Sequence, residues 1–315
     1  MTTGSPTAER GTPATTPLTG PAAGPAAAPE GAAAPAVRAF PDTTAPTAAP
    51  PAATAAPPAG APGRDREDEQ AAGRGTPATG LRDFYEDPAV PVASGAERSR
   101  RQARMLARAL GPVGAGGPAT VLDIGCGDGS AAAVAIPYLR GHRVIGVDWS
   151  QDALRRAAPR LPAVVRGELS DGGLPFASGS ADAVVFSEVI EHLVDPDAAL
   201  DELRRVLRPG GHLLLSTPNL AAWYNRGLLL AGVQPVFSEV SLRGVHGRPG
   251  SQVVGHLRLY TARALRGFLT ASGFEVVSCA GAPFHGVPRP LRALDRAACR
   301  LPSLASILLV HARRV

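Results

Sequence analysis

The chain contains no lysine; all 32 of its basic residues, among 315, are arginine. With the abundance of Ala, Gly and Pro, that bias reads as the coding signature of a GC-rich genome rather than a functional choice. Aromatic residues make up only 4% of the chain and the arginines are scattered. The formal charge of +5 therefore does not assemble the basic, aromatic-laced face that nucleic-acid binding requires. Cys126, Cys279 and Cys299 stand far apart, which argues against a disulfide framework and a zinc site. No apolar run is long enough to span a bilayer, so no membrane partner is expected. Met1-Thr-Thr-Gly-Ser-Pro lacks the basic start and apolar core of a signal peptide, and a cytoplasmic protein is expected.

Residues 1–80 are rich in Ala, Pro, Gly and Thr and almost devoid of Leu, Ile and aromatic side chains. They offer too little apolar surface to offset the ordering of a backbone, and they read as a disordered tail. Arg64-Asp-Arg-Glu-Asp-Glu-Gln70 mixes both signs of charge and reads as solvated linker. Residues 81–315 suffice for one α/β domain with a substantial core.

Within that domain, Val121-Leu-Asp-Ile-Gly-Cys-Gly-Asp-Gly129 is an apolar run ending in three closely spaced glycines. Val121, Leu122 and Ile124 suit a strand buried on both faces, while Gly125, Gly127 and Gly129 permit backbone angles that a side chain forbids. Ser130 to Ala135 reads as the opening of a helix whose N–H groups face a ligand over the glycines, and an anionic group is expected there. Pro137 should kink or end that helix. A second apolar run, Arg143 to Asp148, puts Asp148 at a strand end about twenty residues beyond the glycines, where a carboxylate can accept hydrogen bonds from both ribose hydroxyls. A nicotinamide cofactor and S-adenosylmethionine fit that much equally.

Helical and strand patterns alternate through the rest. Helices are expected over Leu81 to Glu86, Ala96 to Leu110, Gln151 to Arg160, Asp197 to Leu207, Ala262 to Ala271 and around Leu291 to Cys299. Strands are expected over Ala163 to Arg166, Ala183 to Phe186, His212 to Thr217, Phe274 to Cys279 and Ile307 to His311. Arg98, Arg101, Arg104 and Arg108 recur at helical spacing and read as a solvated basic face. Pro209-Gly-Gly211 reads as the break between a helix and the next strand.

Several segments then stand in a fixed order. Asp123 lies two residues before the first glycine, and Leu174-Pro-Phe176 precedes Ser180-Ala-Asp-Ala-Val-Val-Phe-Ser187. Glu188-Val-Ile-Glu-His-Leu193, Arg205-Val-Leu-Arg-Pro-Gly-Gly211 and Leu213-Leu-Leu-Ser-Thr-Pro-Asn219 follow. This series resembles the class I S-adenosylmethionine-dependent methyltransferases across residues 81–315. The resemblance implies a Rossmann-like, doubly wound α/β fold: a mainly parallel seven-stranded sheet, helices on both faces and an antiparallel last strand. It also implies S-adenosylmethionine as cofactor, held by Asp123, Gly125, Cys126, Gly127, Asp148, Trp149, Glu168, Leu169 and Ser187. Residues 219–260 would build the acceptor pocket.

The place where base-amino methyltransferases carry an Asn-Pro-Pro-Tyr-like segment reads Ser187-Glu-Val-Ile190 here, which implies transfer to an oxygen or carbon of a small molecule. Glu188, Glu191 and His192 share one face if a helical turn follows the fourth strand. The pattern resembles that of O-methyltransferases which hold a divalent ion such as Mg2+ with the help of a distant His, here His256. Without an ion, His192 or His256 would serve as base, with Glu191 a further candidate catalytic residue, or the Glu191-His-Leu193 segment would only brace the loop by hydrogen bonds. Two alternatives stand beside this reading. Pro218 to Arg226 and Gly232 to Val236 resemble methyltransferase-like proteins of methionine biosynthesis, which implies a protein partner, an acetyltransferase. An NAD(P)-dependent oxidoreductase would need a third glycine where Ser130 stands.

Overall fold

The computed structural model describes residues 95–114, 116–169 and 173–315. The tail through residue 80 and the helix expected over Leu81 to Glu86 lie outside those residues. All described residues fall within one compact unit.

Helix α1, Ala96–Leu110, opens with Glu97 in its first turn and stops at Gly111, whose φ of 69° no other residue type adopts cheaply. It buries Ala103 and Leu106, but also Arg98, Ser99 and Gln102. Arg98 is thus a correction to the expected solvated face, because residues 98, 102 and 106 lie along the stripe that packs inward. The chain then alternates. Strand β1 is Thr120–Ile124, α2 is Ser130–Ala135, β2 is Arg143–Asp148, α3 is Gln151–Ala157 and β3 is Val164–Arg166. The second half holds β4, Ala181–Ser187; α4, Pro196–Val206; β5, Leu207–Pro218; and α5, Trp223–Leu230. It closes with α6, Ala262–Ala271; β6, Phe274–Ala282; α7, Arg292–Ala298; and β7, Ile307–Arg314. As Pro137 implied, α2 gives way at Ile136–Tyr138 to a single tighter turn.

The seven strands form one sheet in the order β3-β2-β1-β4-β5-β7-β6. Strands β3 through β5 run parallel, and β7 is antiparallel to both β5 and β6. From β1 the chain winds one way to β2 and β3 and the other way to β4 and β5. The crevice above β1 and β4, where Val121 pairs with Ala183 and Ile124 with Phe186, is therefore the switch point of the sheet. Leu122, Val184, Phe186, Leu213 and Leu215 carry no exposed surface, and each such side chain contributes about 1.5 to 3 kcal/mol. Asp195 caps α4 by accepting from the Ala198 N–H at 2.9 Å. At its far end α4 runs straight into β5, and Pro209 to Gly211 sit inside that strand. Ala181 pairs with Leu207 and Ala183 with His212, so residues 208–211 bulge out of the ladder.

Candidate cofactor and acceptor site

The carboxyl ends of β1, β2 and β4 bring Asp123, Gly125, Gly127, Asp148 and Ser187 to one edge of the sheet. Gly125 and Gly127 have φ of 75° and 54°. A Cβ at Gly125 would stand 2.5 Å from Val189 Cγ2, so the segment leaving β4 lies directly against the glycine loop. The loop amides turn toward β2. Gly125 and Cys126 N–H both donate to the Val147 carbonyl, at 2.8 and 3.1 Å, and Gly127 N–H donates to Asp148 Oδ2 at 2.8 Å. These three donors brace the strand ends, and at the opening of α2 the Ser130 N–H donates to Asp128 Oδ1 at 3.0 Å.

Asp148 Oδ1 accepts from the Ser150 N–H at 2.9 Å. Burial raises its pKa, and the hydrogen bonds from Ser150 and Gly127 oppose that rise. Asp123 is pushed up to about 7, first by burial and then by the charge of Asp148, with Arg98 acting the other way. Ser187 Oγ donates to Gln102 Oε1 at 3.0 Å, and Gln102 Nε2 is buried with no partner among the described residues. Ser99, Gln102, Asp123 and Ser187 supply the polar lining of a cavity of about 30 Å3 beneath this edge. Trp149 is half-buried, with its carbonyl accepting from Arg166 Nε at 3.1 Å, and Glu168 and Leu169 stand half-buried just past β3. Cys126 departs from the expectation. Its side chain packs with Ala132, Leu154 and Leu161, a Cβ at Gly146 would meet its sulfur at 2.9 Å, and burial raises the thiol pKa. The residue fills core rather than facing a ligand.

The acceptor side begins at Glu188, whose φ of 56° is strained for a residue with a side chain. Glu188 does not share the site with His192. Its carboxylate accepts from Ser216 Oγ at 2.8 Å and pairs with Arg98 at 3.1 Å. The turn Ile190–His192 then drives Glu191 inward. Glu191 is wholly buried, its Oε2 accepts from Thr217 Oγ1 at 3.0 Å, and its Oε1 has no partner among the described residues. Burial, and then the nearby charge of Glu188, raise its pKa well above the carboxylate range.

His192 and His256 stand with ring centroids 4.8 Å apart. Nδ1 of His192 lies 3.2 Å from the Gly255 carbonyl, and Nδ1 of His256 lies 3.1 Å from the Phe237 carbonyl. Both rings therefore carry their proton on Nδ1, which leaves Nε2 as the basic nitrogen. Burial holds His192 down to about 4, and burial with the neighbouring His192 holds His256 down to about 3. Glu191, His192 and His256 can each offer one ligand atom, all within 4.8 Å of one another. Gln102, Ser216, Thr217, Glu239 and Arg248 belong to this edge and escape sequence reasoning. For Gln102 a signal existed, since it shares its helical stripe with Arg98 and Leu106.

Residues 95–279, more than half of the chain, match the family described as a methyltransferase domain. The chain belongs to that family, the class I S-adenosylmethionine-dependent methyltransferases. The matched methyltransferase span runs from the residue before α1 into β6 and includes every site residue named above. A probable S-adenosylmethionine-dependent methyltransferase of Mycolicibacterium smegmatis is 36% identical over 168 residues, 53% of this chain and 55% of that one. A probable S-adenosylmethionine-dependent methyltransferase of Mycobacterium tuberculosis is 34% identical over 175 residues, 56% of this chain and 54% of that one. The trans-aconitate 2-methyltransferase of an Azoarcus species is 37% identical over 124 residues, 39% of this chain and 46% of that one. The chain thus spans about half the length of these curated relatives. Among the described residues no helix is long and apolar enough to cross a membrane.

Proposed function

We propose that the chain transfers the methyl group of S-adenosylmethionine to an oxygen, or else a carbon, of a small-molecule acceptor. The cofactor lies across the ends of β1, β2 and β4, with its ribose on Asp148 and the acceptor between Glu191, His192 and His256. The observation that carries this reading is the facing pair of imidazoles, 4.8 Å apart and each fixed through Nδ1 by a backbone carbonyl. Methyl transfer is an in-line displacement in which the positive charge on sulfur disperses, so the protein's tasks are alignment and removal of the acceptor proton. An imidazole whose Nε2 is unprotonated at neutral pH can accept that proton. The Azoarcus relative, a trans-aconitate 2-methyltransferase, is in keeping with a small-molecule acceptor.

A divalent ion fits the same residues. Glu191 Oε1 is a buried carboxylate oxygen lacking a hydrogen-bond partner among the described residues, and burial keeps both imidazoles deprotonated, as metal ligation requires. Two imidazoles with one carboxylate suit a zinc-, manganese- or iron-class ion better than the Mg2+ expected from the pattern of residues. Bound there, such an ion would lower the pKa of an acceptor hydroxyl.

The test is incubation of the purified protein with methyl-labelled S-adenosylmethionine and a metabolite extract, before and after stripping with chelator, with identification of the labelled product. A labelled small molecule is expected, and His192→Ala and His256→Ala should each lower its formation, the base by about 10²- to 10⁴-fold. Full activity in both variants would remove the base assignment, and full activity after stripping would remove the metal.

A further inference from the structure

Between α5 and α6 the chain runs through residues 231–261 without a regular element, yet it carries His256 and the carbonyl that faces His192. Something other than a ladder must hold it. That role falls to a buried ion pair, Glu239 with Arg248, 3.1 Å apart, whose side chains are 2% and 5% exposed. The Glu239 carboxylate also accepts from three consecutive backbone amides: Val254 N–H at 2.6 Å, Gly255 N–H at 2.7 Å and His256 N–H at 2.9 Å. Four donors on two oxygens satisfy the carboxylate fully, which a charge buried this deeply requires. Arg248 in turn donates to the carbonyls of Gln252, at 2.7 Å, and Pro249, at 3.1 Å.

The three peptides gripped by Glu239 are those that set the imidazoles. Gly255, whose amide donates to Glu239, presents its carbonyl 3.2 Å from His192 Nδ1. His256, whose amide donates to the same oxygen, turns its own Nδ1 back to the carbonyl of Phe237, two residues before Glu239. Phe237 holds a φ of 73°, a conformation costly for an aromatic residue and retained where the surroundings enforce it. Its ring also touches the His256 ring, with centroids 5.5 Å apart.

We infer that Glu239 is a positioning residue: through the peptides of Gly255 and His256, it fixes the tautomer and orientation of both His192 and His256. It touches neither the acceptor nor the cofactor in the proposed arrangement, and it acts only through those two rings. The inference rests on the methyl-transfer reading only for what the rings are used for.

Imidazole 15N spectra of the full chain, with histidine labelled, test it at fixed pH. The wild-type protein should show protonated Nδ1 and unprotonated Nε2 at His192 and His256. Glu239→Gln keeps the size but replaces one acceptor oxygen with a donor, so it should mix the tautomers at those two residues. His212 and His311, on the far strands, should be unmoved. Affinity for S-adenosylmethionine should stay within about twofold, since Asp148 and the glycine loop are untouched, while kcat falls at least tenfold. If that variant does not fold, Arg248→Gln leaves the carboxylate on its three amides and should show the same change in smaller degree. Unaltered signals at both histidines in a folded variant overturn the inference, whatever the activity. Altered tautomers with undiminished methyl transfer uphold it and instead overturn the role given to the rings in catalysis.

Discussion

Asp123 and Asp148 end neighbouring parallel strands as buried carboxylates, and they are not equivalent. Asp148 receives two backbone N–H groups, whereas Asp123 has burial and the charge of Asp148 against it, with Arg98 alone among its largest influences acting in favour of ionisation. Its folded-state pKa of about 7 lies above the ordinary value of 3.8. Between those values the folded protein holds a proton that the unfolded chain has released, so the stability contributed here falls as pH rises and stays low above pH 7. Asp123→Asn, which does not ionise, should therefore gain stability relative to the wild-type protein from pH 5 to pH 8 without cofactor. The gain has a ceiling of roughly 4 kcal/mol, as follows from 1.36 kcal/mol for each tenfold shift in proton affinity. Urea unfolding of both proteins across that range measures it, and parallel stability curves would refute the raised pKa of Asp123.

At the scale of elements, the glycine loop serves packing as much as ligand approach. A Cβ at Gly129 would lie 3.2 Å from Ala157 Cα on α3, whereas a Cβ at Gly127 would meet nothing within 4 Å. Both residues have positive φ, so alanine at either costs about 1 to 2 kcal/mol in backbone strain. Gly129→Ala must also push α2 away from α3 and should lose roughly 1 kcal/mol or more beyond Gly127→Ala. Equal losses on denaturant unfolding would mean that the two helices have room to part. The strands were legible, because apolar runs such as Val121 to Ile124 and Leu213 to Leu215 have few alternatives to a buried parallel strand, whereas α5, Trp223–Leu230, lies in the stretch expected only to build the acceptor pocket. Pro209-Gly-Gly211 was misread as a break because a bulge and a turn draw on the same residues, and only the pairing of Ala181 with Leu207 distinguishes them. The acceptor side was legible in part. His192 and His256 stood out by type and order, but Glu188 was grouped with them on an assumed helical face, whereas its φ of 56° turns its side chain to Arg98 and Ser216. Glu239 and Arg248 left no periodic trace, because their contacts join residues of an irregular segment that only the folded chain brings together.

At the scale of the whole molecule, the composition of residues 1–80 differs sharply from that of the rest. The seven strands found among the described residues, and every residue assigned to the cofactor, the acceptor or their support, lie between residues 95 and 315. The Ala, Pro, Gly and Thr residues of 1–80 carry little apolar area to set, at about 25 cal/mol per Å2, against the roughly 1 to 2 kcal/mol that ordering each backbone residue costs, which motivates the expectation that they add nothing to the fold. Their arginines are interrupted by acidic residues, as in Arg64-Asp-Arg-Glu-Asp68, and so provide no block of one charge to dock on an oppositely charged face. A chain beginning at residue 81 should consequently match the full-length protein, within error, in melting temperature and in calorimetric affinity for S-adenosylmethionine. The comparison also bears on the site, because a tail that closed over the acceptor pocket would leave melting unchanged yet weaken cofactor binding. A clear drop in either quantity would show that residues 1–80 contribute to the fold or the site and would move the domain boundary toward the amino terminus.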